Sequence, residues 1–487
     1  MALVRTPSVP RSLSAPPEAW LVAGVLASVV LGCAALFGHA ALFAALAAGS
    51  LAAGVAFYEP RTLGPLLALA LPLEISKLAF PFLETRSELG GGLGPTSIVD
   101  AGRLVVALAS LVWVIRPGRR RLDVLPDTPL TTPLVLMFAV YALSTLYAYD
   151  GSSARVESLR LVFSLGTFAL VPFFVRDRTA LRWTLFVFVA SAAALAACGI
   201  YQQVSGHFFW NPGLGLYGER RINATFADPN HFARLLLEAV IVAMMLWFYV
   251  GRRAKFAFLL PAMALSVLTL VFTGSRSAWV VGLAALPVAV LALRIDRGLR
   301  LRMLAMGGAL LLLSALAVAA FNPYFARRIN TFTFGFEAAG ARPYLVEAGL
   351  KMFTDHPVTG VGTGGYQQAF EDDYYDYKDP RIKANVTISH TSLVTVLAEL
   401  GLIGAGALAF LALRWALYAR GILRDASGEL QAGAIGLVMI TAIIALASQT
   451  EGRFLEDPYL WFVAGLVVAV DAISRASAGE AAEAPGG

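Results

Sequence analysis

Cysteine and charge are both scarce in this chain. Cysteine occurs only at Cys33 and Cys198, each inside an apolar run, which leaves no basis for a disulfide framework or a cysteine metal site and reads both as ordinary core residues. Charged residues make up 14% of the 487 positions against 58% hydrophobic ones, with a mean hydropathy of +0.70, a balance foreign to a soluble globular chain. The net charge of +6 would otherwise suggest nucleic acid. Its carriers, however, are scattered over short loops between apolar runs rather than gathered on one polar face, so no nucleic-acid partner is expected and membrane orientation explains the excess.

What is abundant is apolar sequence in membrane-sized pieces. Runs able to cross about 30 Å of hydrocarbon recur along the whole length, and only helices satisfy their own backbone groups there. The reading is an all-α polytopic membrane protein of about fourteen transmembrane helices. The expected spans are 20–37, 40–57, 63–83, 98–116, 131–148, 156–175, 180–203, 230–250, 255–273, 277–294, 302–320, 390–418, 430–450 and 458–474. They divide the chain into N-terminal helices over 1–200, a second set over 201–320, a large loop with short helices over 321–389, C-terminal helices over 390–475 and a disordered tail over 476–487. The stretch Met1 to Trp20 lacks a small-residue cleavage pattern, so no removable signal peptide is expected and the first helix reads as an anchor.

Alternate loops are rich in arginine: Arg61, the run Arg116 to Arg121, Arg176 with Arg178 and Arg182, Arg252 to Lys255, Arg294 to Arg302, Arg420 with Arg424, and Arg475. All fall on one side if both termini are cytoplasmic, which puts the long connections 204–229 and 321–389 outside. The five histidines, His39, His207, His231, His356 and His390, then lie at or beyond the outer boundary. Charged residues inside spans concentrate in outer halves, among them Glu157 with Arg160, Arg234 with Glu238, and Glu399. Opposite charges three or four residues apart share a helix face and can be plain structural ion pairs. Their common depth equally suits a polar cavity opening outward.

Five motifs lie in and around the outer loops. The segment Tyr217 to His231 places Arg220 and Arg221 before an Asp-Pro-Asn turn, with Asn230 as a good N-cap and the arginines as candidates for an anionic ligand. Thr273-Gly-Ser-Arg276-Ser-Ala-Trp279 is a tight turn whose arginine can snorkel to headgroups or grip a phosphate in bidentate fashion. Apolar residues at helical spacing over 337–353 follow, with Arg342 at the start of that helical region. The helix is broken by Asp355-His356-Pro-Val-Thr-Gly-Val-Gly-Thr-Gly-Gly365, which lacks the lysine and threonine of a nucleotide loop. The acidic, tyrosine-rich run Glu371 to Asp379 reads as a solvated face, with calcium binding and sugar stacking as lesser options. Last, Ser389-His390-Thr-Ser leads into a helix carrying Ala398-Glu399-Leu-Gly401, a histidine at the membrane border with a carboxylate deeper on the same helix.

In their order and spacing these pieces, over roughly 200–405, resemble the O-antigen ligase and polymerase family, membrane glycosyltransferases that act on undecaprenyl-diphosphate-linked glycans. The resemblance implies a GT-C-like fold in the bacterial inner membrane with the active site facing outward. It implies no cofactor and a metal-independent, inverting transfer from the lipid-linked donor to a lipid- or glycan-hydroxyl acceptor. In that reading His390 is the base, Arg276 and Arg342 grip the diphosphate, and Arg221 or its neighbour Arg220 assists. Asn230, His356 and Glu399 support, Glu399 either orienting the histidine or sealing the cavity floor. Polymerase and ligase are not separated by sequence. A flippase or other transporter of lipid-linked oligosaccharide is a more distant alternative, disfavoured because no internal repeat is visible and the polar groups are not spread around the midplane.

The orientation is directly testable. Reporters fused after Arg121, Arg253 and Arg297 should read as cytoplasmic, and those within 204–229 or 321–389 as extracytoplasmic; a cytoplasmic signal from within 330–380 would invert the topology.

Overall fold

The computed structural model describes residues 59–72, 101–115, 126–208, 221–226, 228–293, 295–321, 342–374, 389–451 and 454–483. Among them the regular elements are helical. In chain order they are α1 (Leu63–Ala70), α2 (Ala101–Ile115), α3 (Thr131–Ser144), α4 (Gly151–Phe174), α5 (Arg178–Ser205), α6 (Pro229–Leu246) and α7 (Arg252–Phe272). Then come α8 (Arg276–Ala292), α9 (Arg297–Phe321), α10 (Arg342–Asp355), α11 (Tyr366–Asp372), α12 (Ser392–Asp425), α13 (Gly428–Glu451) and α14 (Pro458–Glu483). Polar residues start them at their wet ends: Asp150 accepts from the Ser152 amide, Asp177 from Ala180 and Ser275 from Ala278.

Seven of the described helices, α4, α5, α6, α7, α12, α13 and α14, are long and apolar enough to cross a membrane, and α3 and α8 are shorter apolar helices. The chain is therefore a polytopic helical membrane protein. Expected spans 20–37 and 40–57 lie outside the described residues. Of the expected span 63–83, residues 73–83 lie outside the described residues; within the described part α1 ends at Ala70 and the chain turns at Leu71–Pro72. At the other end α14 runs on to Glu483, so most of the segment read as a disordered tail continues the helix.

α6 is the axis of the bundle. Its apolar window is 89% buried, which makes it a helix surrounded by protein, and α5, α7, α8 and α13 pack around it. A charge knot is set into this core: Arg234 pairs with Glu238 one turn on, at 3.6 Å, and with Asp457 ahead of α14. These side chains are 4%, 0% and 2% exposed, so the pairing joins α6 to the α13–α14 connection in a place where an unpaired charge is costly. The expected Glu157–Arg160 pair is also formed, within α4.

The 34-residue α12 is interrupted at Gly401, where φ is +59° and ψ −153°. Unbroken, it would have the Leu402 and Ile403 amides donate to the Ala398 and Glu399 carbonyls. Instead residues 357–362 are spliced into the gap. Leu402 donates to the Pro357 carbonyl (2.9 Å) and Ile403 to Val358 (3.2 Å), while Val361 and Gly362 donate to the Ala398 and Glu399 carbonyls (2.9 and 2.8 Å). The glycine-rich stretch that breaks α10 is thus a structural splice. It passes so close that a Cβ on Gly360 would lie 2.3 Å from the Glu399 carbonyl carbon.

A side chain at Gly401 would need left-handed backbone and would come within 2.4 Å of the Val358 oxygen. The backbone cost alone is about 1–2 kcal/mol. Gly401→Ala should therefore lower the melting temperature of the detergent-purified protein clearly, whereas Gly406→Ala, whose Cβ would meet open space, should leave it unchanged. Equal melting of the two variants would show that the splice does not constrain the fold.

Candidate functional site

Between α5 and α6 the chain turns back into the bundle. Ile222, Asn223, Ala224, Thr225 and Phe226 are all buried although they form no helix. Irregular backbone is tolerated at such depth only when protein groups satisfy it. Gln202 of α5 does much of this, its carbonyl accepting from the Asn223 and Ala224 amides (3.2 and 2.8 Å) and its amide donating to the Ala224 carbonyl (3.2 Å). Asn223 donates to the Phe226 carbonyl, and the Thr225 hydroxyl to the Pro72 carbonyl beyond α1. Ala224 adopts a left-handed φ of +47°, uncommon for a residue with a side chain and held here by that network.

This buried loop carries Arg221 to the α7–α8 turn. Its Nε donates to the Thr273 carbonyl and its Nη2 to Asn230 Oδ1, each at 2.8 Å. A Cβ on Gly274 would lie 3.4 Å from Nε, so the guanidinium lies against the turn. Two segments some fifty residues apart, each singled out in the sequence, are therefore one structure. Asn230 is not the N-cap of α6 as expected. Asp228 is, accepting from the Asn230 amide at 2.7 Å, and this releases the asparagine side chain to orient Arg221. Pro229 takes the first helical position, where its missing amide costs nothing, and so moves the cap one residue ahead of it.

Arg276 opens α8, half-buried, directly after the Ser275 cap. It adds a positive charge to the positive end of a helix, an arrangement suited to an anion.

His390 stands two residues ahead of α12, half-buried, with φ at +54°. Helix capping does not account for it. The N-cap is Thr391, which makes no side-chain cap bond, and the hydroxyl that accepts from the Thr391 amide is that of Ser389 (3.1 Å). A histidine held in left-handed backbone beside a serine doing the local work points to a side chain placed for another purpose.

Electrostatics join these pieces. Burial pushes the Asp228 carboxyl upward, yet the nearby His231, the Asn230 amide, Arg221 and His390 together hold it below the ordinary carboxylate value. Asp228 thus remains ionised at neutral pH. Asp228, His231 and Gln202 were not singled out in the sequence. The aspartate lies within the Asp-Pro-Asn motif, where the spacing points to the asparagine two residues later as the cap.

The remaining expected residues take other places. Glu399 lies nine residues beyond His390, about 14 Å along a helix, too far to orient the imidazole. Its Oε1 accepts from the Tyr366 amide at 3.2 Å and so anchors the start of α11 on the splice. It lies within electrostatic range of Glu157 and Glu456, and Glu456 in turn accepts from the Tyr141 hydroxyl at 3.4 Å. His356 is exposed at the end of α10, where its backbone closes the helix. Beside it Asp355 has its pKa lowered by the Lys351 ammonium and the Tyr374 hydroxyl. Arg342 is the exposed first residue of α10, which packs on α12. Arg220 lies outside the described residues. Among the described residues no group of three His, Cys, Asp or Glu side chains is arranged to hold a metal ion.

No curated protein matches the chain. A family model described as O-antigen ligase matches residues 261–409, from α7 to the part of α12 beyond its break. Arg276, Arg342, His356, His390 and Glu399 fall inside that segment; Arg221 and Asn230 precede it, and Arg221 is joined to it by its hydrogen bond to the Thr273 carbonyl. Over residues 261–409, under a third of its length, the chain is thus similar to the O-antigen ligase family.

Proposed function

We propose that the protein is the glycosyltransferase that moves a glycan from undecaprenyl diphosphate to an acceptor hydroxyl on the outer face of the bacterial inner membrane. The observation that carries the reading is His390, set in left-handed backbone within electrostatic reach of the Asp228–Arg221 pair and inside the segment similar to the O-antigen ligase family. In the transfer the neutral imidazole takes the proton of the acceptor hydroxyl as its oxygen bonds to the anomeric carbon. The bond from that carbon to the diphosphate oxygen breaks, its electron pair remains on the diphosphate, and the configuration inverts. The leaving group is already good, so the protein has to supply a base and fixed positive charge. Arg276 with the α8 N-terminus, Arg221 on its two acceptors and Arg342 on α10 supply the charge in this reading.

Arg276→Lys and Arg342→Lys keep a charge but lose the planar fork, so both should lower transfer by the purified protein at unchanged protein level. Full activity in both would remove the diphosphate clamp.

His390→Ala should reduce transfer by on the order of 10²–10⁴ while the protein still folds, since the base is lost and little packing goes with it. His390→Asn tolerates left-handed backbone and can still cap a helix but cannot serve as a base, and should be equally inactive. Near-normal turnover by the Asn variant would take His390 out of the mechanism, and inhibition of the wild type by chelator would replace the metal-independent reading. In a deletion strain, lipid-linked polymer accumulating without attachment identifies a ligase, and single lipid-linked repeats identify a polymerase.

A further inference from the structure

Beyond α3 the chain makes a tight turn over residues 145–150 that is fastened to the splice. The Tyr149 amide donates to the Val361 carbonyl (2.8 Å), and the Ser144 hydroxyl accepts from the Thr363 amide (3.3 Å). Two tyrosines stand on this turn with their rings in the open, Tyr147 at 47% and Tyr149 at 42% exposure. Their hydroxyls, by contrast, are engaged by the protein: Tyr147 donates to the Thr359 carbonyl (3.1 Å) and Tyr149 to Asp373 (3.0 Å). The hydrogen bond to Asp373 also pushes the Tyr149 hydroxyl up to about 12, so it stays a donor.

This is the reverse of an interfacial anchor, in which the ring sits in the apolar layer and the hydroxyl reaches the headgroups. Here the hydroxyls are tied to protein acceptors while the side chains remain largely exposed, so each is fixed in position before any ligand arrives, which lowers the ordering cost of binding. The surface beside them is acidic, with Asp372 and Asp373 exposed at the end of α11. Such a surface repels phosphate headgroups and the lipid diphosphate. It accepts hydrogen bonds from a neutral, hydroxyl-rich ligand whose C–H faces can lie on aromatic rings.

We infer that Tyr147 and Tyr149, with the Asp372–Asp373 carboxylates, form a carbohydrate-binding subsite for the glycan portion of the substrate, separate from the arginine and histidine cluster. The identity of the ligand as a glycan rests on the proposed function. The subsite holds sugar residues away from the bond that reacts, so it governs affinity for the chain rather than the chemical step.

The test is binding of lipid-free oligosaccharide, released by mild acid from the lipid-linked precursors of the source cells, to the purified full-length protein. Ligand-observed saturation-transfer NMR follows binding, and a transfer assay runs in parallel. Tyr147→Ala/Tyr149→Ala should weaken binding by about tenfold and raise KM for the glycan donor by a similar factor, with kcat within about twofold. Tyr147→Phe/Tyr149→Phe keeps the rings and should bind within about threefold of wild type. If both double variants bind like wild type, or if the Phe variant loses as much as the Ala variant, the hydroxyl contacts or nothing at all matter here and the subsite is overturned. Wild-type protein that binds the oligosaccharide but transfers nothing would refute the proposed function and leave the subsite standing. Wild-type protein that transfers but shows no oligosaccharide binding would do the opposite.

Discussion

A helix that stops part-way along a membrane span frees backbone donors and acceptors that hydrocarbon cannot satisfy, each at a cost of several kcal/mol. α12 stops in this way at Gly401, and the four groups released there are all taken up by residues 357–362. That exchange decides where much else goes. It fixes the end of α10, sets Glu399 against the start of α11, and gives the 145–150 turn a surface to bind. His390 stands at the start of the same broken helix, so its position too depends on how the splice seats the first turns of α12.

The same rule shapes the other half of the site. The segment 222–226 is irregular and buried, and it persists because Gln202 and Asn223 meet its backbone needs from within the protein while the Thr225 hydroxyl ties it to the Pro72 carbonyl. What emerges from it is Arg221, gripped by a carbonyl and by an asparagine. A guanidinium anchored on a carbonyl and an asparagine loses its freedom to swing, which is what fixed positive charge for an anionic group requires. Asp228 lies within electrostatic range of Arg221, His231 and His390.

Charge elsewhere in the bundle is handled differently. Arg234, Glu238 and Asp457 are almost wholly buried and bind one another, tying the central helix to the start of α14. Removing one member would strand another in a low-dielectric core, so this knot acts as a clasp between helices.

The sequence by itself determined the helical membrane architecture, because hydropathy reports the solvent of each segment and hydrocarbon leaves the backbone a single local solution. It also marks the segments with Arg, Asp-Pro-Asn, Ser-Arg-Ser and Ser-His between spans as candidate site residues, although Asp228 and Ser275 in them serve as helix caps. Only the tertiary structure decided what those residues do to one another. Asn230 reads as a cap from its spacing, yet Asp228 caps and Asn230 turns to Arg221, whose guanidinium is held in place by the Thr273 carbonyl of a distant segment. Glu399 reads as the companion of His390 because they share a helix; the splice at Gly401 gives it to α11 instead. Hydrogen-bond partners across a bundle depend on which segments meet in space, and no local periodicity encodes that.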